Sequence, residues 1–222
     1  MSFFDKVKKD LLGTNWALYF GLIALSIVLF VLDIVTKNVA YSNLVYGANP
    51  VTAVPNIFDF VLVFNNGAAW NWLADQKWLL TSISLLVGLG LIYVYLFLNK
   101  KLPTFAKVAL SLMIAGCFGN LVDRIGYWGQ FGIYKKGVID FIHFSFWDTF
   151  PVFNLADSYL VVGIAVLAVG YIISSIVGKK EANEMSKKDT SDVSDADLLN
   201  KVRKNDSLTK KDGSEHDGKT NV

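Results

Sequence analysis

Gly119-Asn-Leu-Val-Asp-Arg124, Val138-Ile-Asp-Phe141 and Phe153-Asn-Leu-Ala-Asp157 set carboxylates, amides and an arginine against hydrophobic segments long enough to cross a bilayer. An ionisable side chain at a membrane span is costly to bury and is usually kept for function. Asp140 and Asp157 lie beside such segments. Two carboxylates that meet at a membrane surface offer acid–base chemistry there.

The hydrophobic share, 53%, is gathered into four blocks: Trp16–Val35, Trp78–Leu98, Phe105–Val122 and Asp157–Val177. Each approaches or exceeds the roughly 18–20 residues that cross a hydrocarbon core. The expected class is an all-α polytopic membrane protein with four transmembrane helices. Residues 1–178 form the membrane domain and hold eleven basic residues and nine acidic ones, every acid an Asp. Residues 179–222 balance ten basic against ten acidic residues and contain few large apolar side chains. Such a segment buries no core and reads as a disordered polar tail. No basic patch with interleaved aromatics is present, so nucleic acid is not an expected partner. The single cysteine, Cys117, lies inside the third block and has no internal disulfide partner; it reads as a small buried residue at a helix contact. The basic N-terminus and first apolar run resemble a signal peptide, but the run is long and no small-residue cleavage site follows, so a retained first helix is expected.

Lysine and arginine set the orientation. Lys6, Lys8 and Lys9 precede the first span, Lys100, Lys101 and Lys107 surround the short turn between the second and third, and Lys179, Lys180, Lys187 and Lys188 follow the fourth. These regions, with both termini, are expected in the cytoplasm of a cell with an inner membrane. The long connections, residues 37–77 and 123–156, are then extracytoplasmic. Trp16, Trp78, Tyr93 and Tyr95 sit near span ends, as an aromatic belt requires. Within the first connection Pro55–Ala69 contains a β-rich run, Phe58–Phe64, and an Asn-Asn-Gly turn signal, which predicts one or more strands on the outer face. The second, Gly126–Gly137, is rich in glycine and aromatics and reads as a flap.

If the chain folds back through Pro151, the carboxyls of Asp140 and Asp157 converge. Such a dyad shares a proton and its titrations couple. One carboxylate then activates water while its protonated partner polarises a carbonyl and later protonates the leaving amine. Blander readings stand beside this one. Asn154-Leu-Ala-Asp157 has the spacing of a helix-capping motif, and Asp140 can be a surface turn residue. Asn120 and Arg124, four apart, share a helix face, where Arg124 can grip a carbonyl or a lipid phosphate; alternatively Asp123 and Arg124 snorkel to the interface. Asp33 and Lys37 have the spacing of a structural ion pair. Asn65 and Gly67 offer an amide and exposed backbone to an extended peptide, or form only a turn. His143 lies near Asp140, but no Gly-x-Ser-x-Gly elbow accompanies it. No zinc-binding, Walker or dinucleotide motif is present, so no metal or cofactor is expected. A proton-coupled carrier using Asp33, Asp123 and Asp157, and a non-enzymatic scaffold binding lipids or partner helices, are the rival classes.

Asp33-Ile-Val-Thr-Lys37, Asn65-Asn-Gly-Ala-Ala-Trp70, Gly119-Asn-Leu-Val-Asp-Arg124, Val138-Ile-Asp-Phe141 and Phe150-Pro-Val-Phe-Asn-Leu-Ala-Asp157 occur in this order. Together they resemble the bacterial lipoprotein signal peptidase (signal peptidase II) family across the whole membrane part. The resemblance implies a membrane aspartyl endopeptidase, without metal or organic cofactor, that removes the signal peptide of lipid-modified prolipoproteins just before the diacylglyceryl-bearing cysteine. It maps the catalytic dyad to Asp140 and Asp157. Asn65, Gly67, Asn120, Arg124 and Asn154 map to supporting or substrate-binding positions, and Asp33, Lys37 and Asp123 to structural polar ones. A monomer in contact with membrane lipids is expected, with the site near the outer leaflet. Trp70 replaces the family's usual Phe, and the connection from Arg124 to Asp140 is longer than usual.

Overall fold

The computed structural model describes residues 15–67, 76–126 and 137–212, with side chains as far as Met185 apart from Lys77. Lys6, Lys8, Lys9, Trp70 and most of the expected flap lie outside the described residues. Four helices are long and apolar enough to cross a membrane: Trp16–Asn43, Trp78–Lys101, Thr104–Ile125 and Leu155–Met185. The hydropathy blocks therefore mark the spans, but their ends move outward.

Helix α1, Trp16–Asn43, starts where Asn15 accepts from the Leu18 amide (3.0 Å). It continues past Val35 because Asp33 and Lys37, one turn apart, are both buried in the protein and need no exit to water. Helix α2, Lys77–Tyr93, runs on through a π turn, Val94–Leu98, and a 3-10 turn, Asn99–Lys101. In that π turn Tyr95 is only 4% exposed and donates its hydroxyl to Tyr19 O (2.7 Å). It is a core residue and not part of an aromatic belt, whereas Trp16, Trp78 and Tyr93 are exposed.

Helix α3, Thr104–Ile125, begins after Pro103 and stops at Gly126, whose φ of 95° is a left-handed cap. It is the central helix, 56% buried over its most apolar window against 17%, 22% and 6% for the other spans. Small residues explain this: Ala106, Ala109, Ser111, Ala115, Gly116 and Gly119 are all buried on it and let neighbouring backbones approach. Cys117 is buried on the same helix, its thiol donating to Ser84 O of α2 (3.1 Å). A Cβ on Gly116 would run into the backbone carbonyl of Ala156 and stand 2.8 Å from Leu160 Cγ. Gly116→Ala is accordingly expected to destabilise the protein by about 1–3 kcal/mol, read as a lower thermal midpoint in detergent.

Helix α4, Leu155–Asp212, carries the last span and then continues as helical backbone into the polar segment whose composition predicts disorder. No proline interrupts that segment. Residues 179–185 are all exposed, so this part buries nothing. By packing the chain divides into one unit ending at Gly170 and a second starting at Tyr171.

Three strands, β1 (Val51–Val54), β2 (Phe58–Asn65) and β3 (Val138–Phe144), form an antiparallel sheet in that order. β2 is the strand expected at Phe58–Phe64, whereas β1 lies before the Pro55–Ala69 stretch that predicts strands. The third replaces the expected turn at Asp140: Val138 to Phe141 are buried in succession, as in a strand covered on both faces. On one side Leu62, Ile139 and Phe141 pack with Ala40 of α1. On β2 the ladder contains a bulge. Phe60 pairs with Ile142 and Val63 with Asp140, so Val61 and Leu62 together face the single residue Phe141. Beyond β3 the chain turns twice, with Trp147 N donating to Phe144 O (3.1 Å) and Phe150 N to Trp147 O (2.9 Å). It then returns through Pro151 to pair Phe153 with Ile142. This reversal brings Asn154 and the start of α4 back beside β3.

Candidate active site

Asp140 sits in the middle of β3 and is 1% exposed. Strand register places it opposite Val63, which makes Asn65 its diagonal neighbour on the same face. Asn65 Nδ2 donates to Asp140 Oδ2 (2.9 Å), and Asn154 Nδ2 donates to Asp140 Oδ1 (2.7 Å). Asp157, in the first turn of α4, accepts from Asn120 Nδ2 at Oδ1 (2.7 Å) and from the Asn154 backbone amide at Oδ2 (3.2 Å). Asn154 thus touches both carboxyls, one by its side chain and one by its main chain. The turns before Pro151 produce the convergence that the spacing of the two aspartates allows.

The capping reading of Asn154-Leu-Ala-Asp157 is also correct in geometry. Asn154 Oδ1 accepts from Asp157 N (3.0 Å) while Asp157 accepts from Asn154 N, the reciprocal arrangement of a capping box. Capping and site geometry are therefore properties of the same residues and not alternatives.

The amide orientations follow from their neighbours. Asn120 Oδ1 accepts from Lys37 Nζ (3.0 Å) and Asn154 Nδ2 (3.0 Å), which turns the Asn120 NH2 to Asp157. Asn65 Oδ1 is occupied by Gly67 N (2.9 Å), which turns its NH2 to Asp140. Gly67 enters through this amide bond.

Behind Asn120 lies a buried ion cluster. Lys37 Nζ is 2.8 Å from Asp33 Oδ2 and 2.8 Å from Asp123 Oδ2, and both lysine and Asp33 are fully buried. The expected Asp33–Lys37 ion pair is present, and Asp123 joins it. Asp123 is 3% exposed, so it does not snorkel to the interface; its neighbour Arg124 points elsewhere. Arg124 Nη1 lies 3.3 Å from Ser84 Oγ of α2, and Arg124 lines the same cavity as both aspartates. Ser84 carried no signal in the sequence, since a lone serine inside an apolar span reads as small packing. His143 is three residues from Asp140 along β3, hence on the opposite face, and pairs in register with Asp59. It forms no triad with Asp140.

Asp140, Asp157, Asn65, Asn120 and Arg124 open onto a cavity of about 490 Å³. Its remaining wall is mainly apolar, built from residues such as Phe144, Phe150, Phe153, Val161 and Val162. The aromatic part is a packed cluster, with Phe144 5.3 Å from Phe150 and 5.1 Å from Phe153 between ring centroids. Burial, and next the charge of Asp157, push the Asp140 carboxyl up to about 8, against the partial relief given by Asn65, Lys37 and Asn154. Asp140 accordingly holds a proton at neutral pH. A protonated carboxyl and a second carboxyl, held by amides at one end of an apolar cavity, can polarise a carbonyl and activate water. Among the described residues no cluster of histidine, cysteine or acidic side chains has metal-binding geometry.

Comparison with known proteins places this arrangement. The model of the family described as signal peptidase (SPase) II matches residues 25–173. A lipoprotein signal peptidase of Clostridium tetani is 38% identical over 141 residues, covering 63% of this chain and 84% of that protein. One from Pseudomonas paraeruginosa is 36% identical over 164 residues, covering 70% and 89%. A solved structure of a bacterial membrane enzyme, determined by the in meso method at 2.3 Å resolution, superposes with a TM-score of 0.57 at 26% identity, over 70% of this chain and 89% of the other. The matched segment contains Asp33, Lys37, Asn120, Asp123 and Arg124, the three-stranded sheet and both Asp140 and Asp157, and the chain belongs to the signal peptidase II family.

Proposed function

We propose that this protein removes signal peptides from diacylglyceryl-modified prolipoproteins, cleaving before the lipidated cysteine, with Asp140 and Asp157 as its catalytic dyad. The observation that carries the assignment is Asn154, which donates to both carboxyls and so holds them to one cavity. Asp157 acts as the general base that takes a proton from the attacking water. Asp140, which holds its proton at neutral pH, donates a hydrogen bond to the scissile carbonyl as the tetrahedral diol forms. Proton transfer to the amide nitrogen then lets the C–N bond break, leaving a free amine on the lipidated cysteine and a carboxyl on the released peptide. Arg124 and Asn65 line the cavity beside the dyad and bind the peptide's carbonyls; Gly67 lends Asn65 its orientation. The apolar wall accommodates the substrate's hydrophobic parts.

The reading also sets the protein in the bacterial inner membrane. The sheet and dyad lie at the end of the bundle opposite Lys100, Lys101 and Lys107, which the positive-inside rule assigns to the cytoplasm. The dyad then faces the outer leaflet, where a diacylglyceryl-cysteine is anchored, and the scissile bond reaches it without the lipid being lifted into water. The termini are cytoplasmic, the working form is a monomer among membrane lipids, and residues 1–178 carry the reaction without help from the polar tail.

The test is cleavage of a diacylglyceryl-modified prolipoprotein by the purified full chain in detergent, with and without a chelator and across a pH series. Cleavage is expected to survive chelation. It is expected to decline as pH rises past about 8, where Asp140 loses its proton. A carboxyl raised by burial is the acid at neutral pH, so the loss falls on the alkaline side. Chelator-sensitive cleavage, or none by well-folded protein, overturns the proposal.

A further inference from the structure

The charged cluster behind the cavity does more than balance itself. Asp33 uses its other oxygen, Oδ1, to accept from Ala156 N (2.9 Å), and Ala156 is the residue immediately before Asp157. Asp123 Oδ2 accepts from Ile139 N (3.3 Å), and Ile139 is the residue immediately before Asp140. Lys37 joins the two carboxylates and donates to Asn120 Oδ1, whose amide holds Asp157. Three side chains from α1 and α3 therefore grip the main chain next to each dyad member and the amide of Asn120. The geometry points to a positioning role: we infer that Asp33, Lys37 and Asp123 set the spacing and orientation of Asp140 and Asp157, Lys37 by fixing the Asn120 amide.

The inference rests on the dyad assignment. A cluster needed for stability alone requires only that the buried charges find one another. Here each carboxylate also makes a backbone hydrogen bond one residue from a dyad aspartate, on two different elements, β3 and α4. Gly119 shows how closely the cluster is fitted, since a Cβ there would stand 2.5 Å from Asp33 Oδ2 and 3.0 Å from Ala156 Cβ. Lys37 also donates to Gly119 O (3.3 Å). A carboxyl displaced by about 1 Å from the reacting bond can cost roughly a hundredfold in rate, so a device of this kind acts on turnover more than on binding.

Lys37→Met alone leaves two carboxylates buried against each other. The double variant Asp33→Asn with Lys37→Met replaces two carboxylates and one ammonium by a single carboxylate, and so keeps the same net charge. The asparagine introduced by Asp33→Asn would still offer an oxygen to Ala156 N. Both variants would be purified as full chains, checked for folding by thermal unfolding, and assayed for kcat and KM on a diacylglyceryl-modified prolipoprotein beside Asp140→Asn. The charge-matched double variant is expected to fold and to lose about a hundredfold in kcat with little change in KM. A folded double variant with wild-type kcat overturns the inference, as does failure of both variants to fold, which makes the cluster a stability element only. Cleavage that persists in Asp140→Asn would instead overturn the dyad assignment.

Discussion

Asparagine at either Asp140 or Asp157 is expected to lower kcat by about 10⁴-fold, because each change removes one partner in a proton exchange between acid and base. The Asp140→Asn amide would still accept from Asn154 but would carry no labile proton for the scissile carbonyl. The Asp157→Asn amide would keep an oxygen for the Asn120 side chain and lose the ability to take a proton from water. Both proteins should fold and bind substrate, so the loss should appear in kcat with KM little changed. Wild-type turnover in either variant would remove the dyad from the mechanism. A second signature separates the two. The Asp140 carboxyl is raised to about 8 in the folded protein, against about 3.9 for an unfolded aspartate. The native state therefore binds the extra proton between those values, and the stability this group contributes is lost as pH rises from about 4 to about 8. The thermal midpoint of the wild type should fall across that window, and Asp140→Asn should flatten the slope.

Asn154→Ala should be the most damaging change at a residue that performs no proton transfer. Its fully buried side chain donates to Asp140, Asn120 and Ile139 O and caps α4 through Asp157 N. Loss of the cap costs about 1 kcal/mol, and each buried acceptor left unpaired adds about 1–3 kcal/mol. Asn120 Oδ1 keeps Lys37, so with one or two acceptors left unpaired a total of about 2–7 kcal/mol is expected as a lowered thermal midpoint. Turnover measured on the folded fraction should fall about a hundredfold, since Asp140 loses its Asn154 donor and Asp157 the cap on its amide, while the main-chain bond from residue 154 to the Asp157 carboxyl remains. A variant that is destabilised yet retains wild-type kcat would confine Asn154 to capping.

The four spans were legible because about twenty consecutive apolar residues have one suitable solvent. The order of the polar motifs was equally plain, and with it the family. Strand β2 announced itself through Phe58–Phe64 and the turn signal after it. Strand β3 did not. Val138–Phe141 is buried on successive residues, so it has no alternation to read, and its partner β2 lies far off in the chain. Asp123 was ambiguous for a related reason. At the end of an apolar span a carboxylate can turn to water or to a buried lysine, and only the close approach of α1 to α3 decides between them. Tyr95 looked like an interfacial ring because local sequence does not show a π turn carrying it inward. In each case the missing information was a contact between segments distant in sequence.

The bulge between Phe60 and Val63 has a consequence for how the outer hairpin can change length. Because Val61 and Leu62 share one partner, a ladder without Val61 would still pair Phe60 with Ile142 and Val63 with Asp140. The hairpin from Val51 to Phe60 can thus shorten by a residue at this point while Asn65 keeps its place beside Asp140. An insertion between Phe64 and Asn65 has no such outlet, and would turn the Asn65 amide to the other face of the sheet. The bulge works as an expansion joint: it can give up one residue without shifting the register on either side, whereas on its near side a single added residue is enough to take a hydrogen-bond donor away from the dyad.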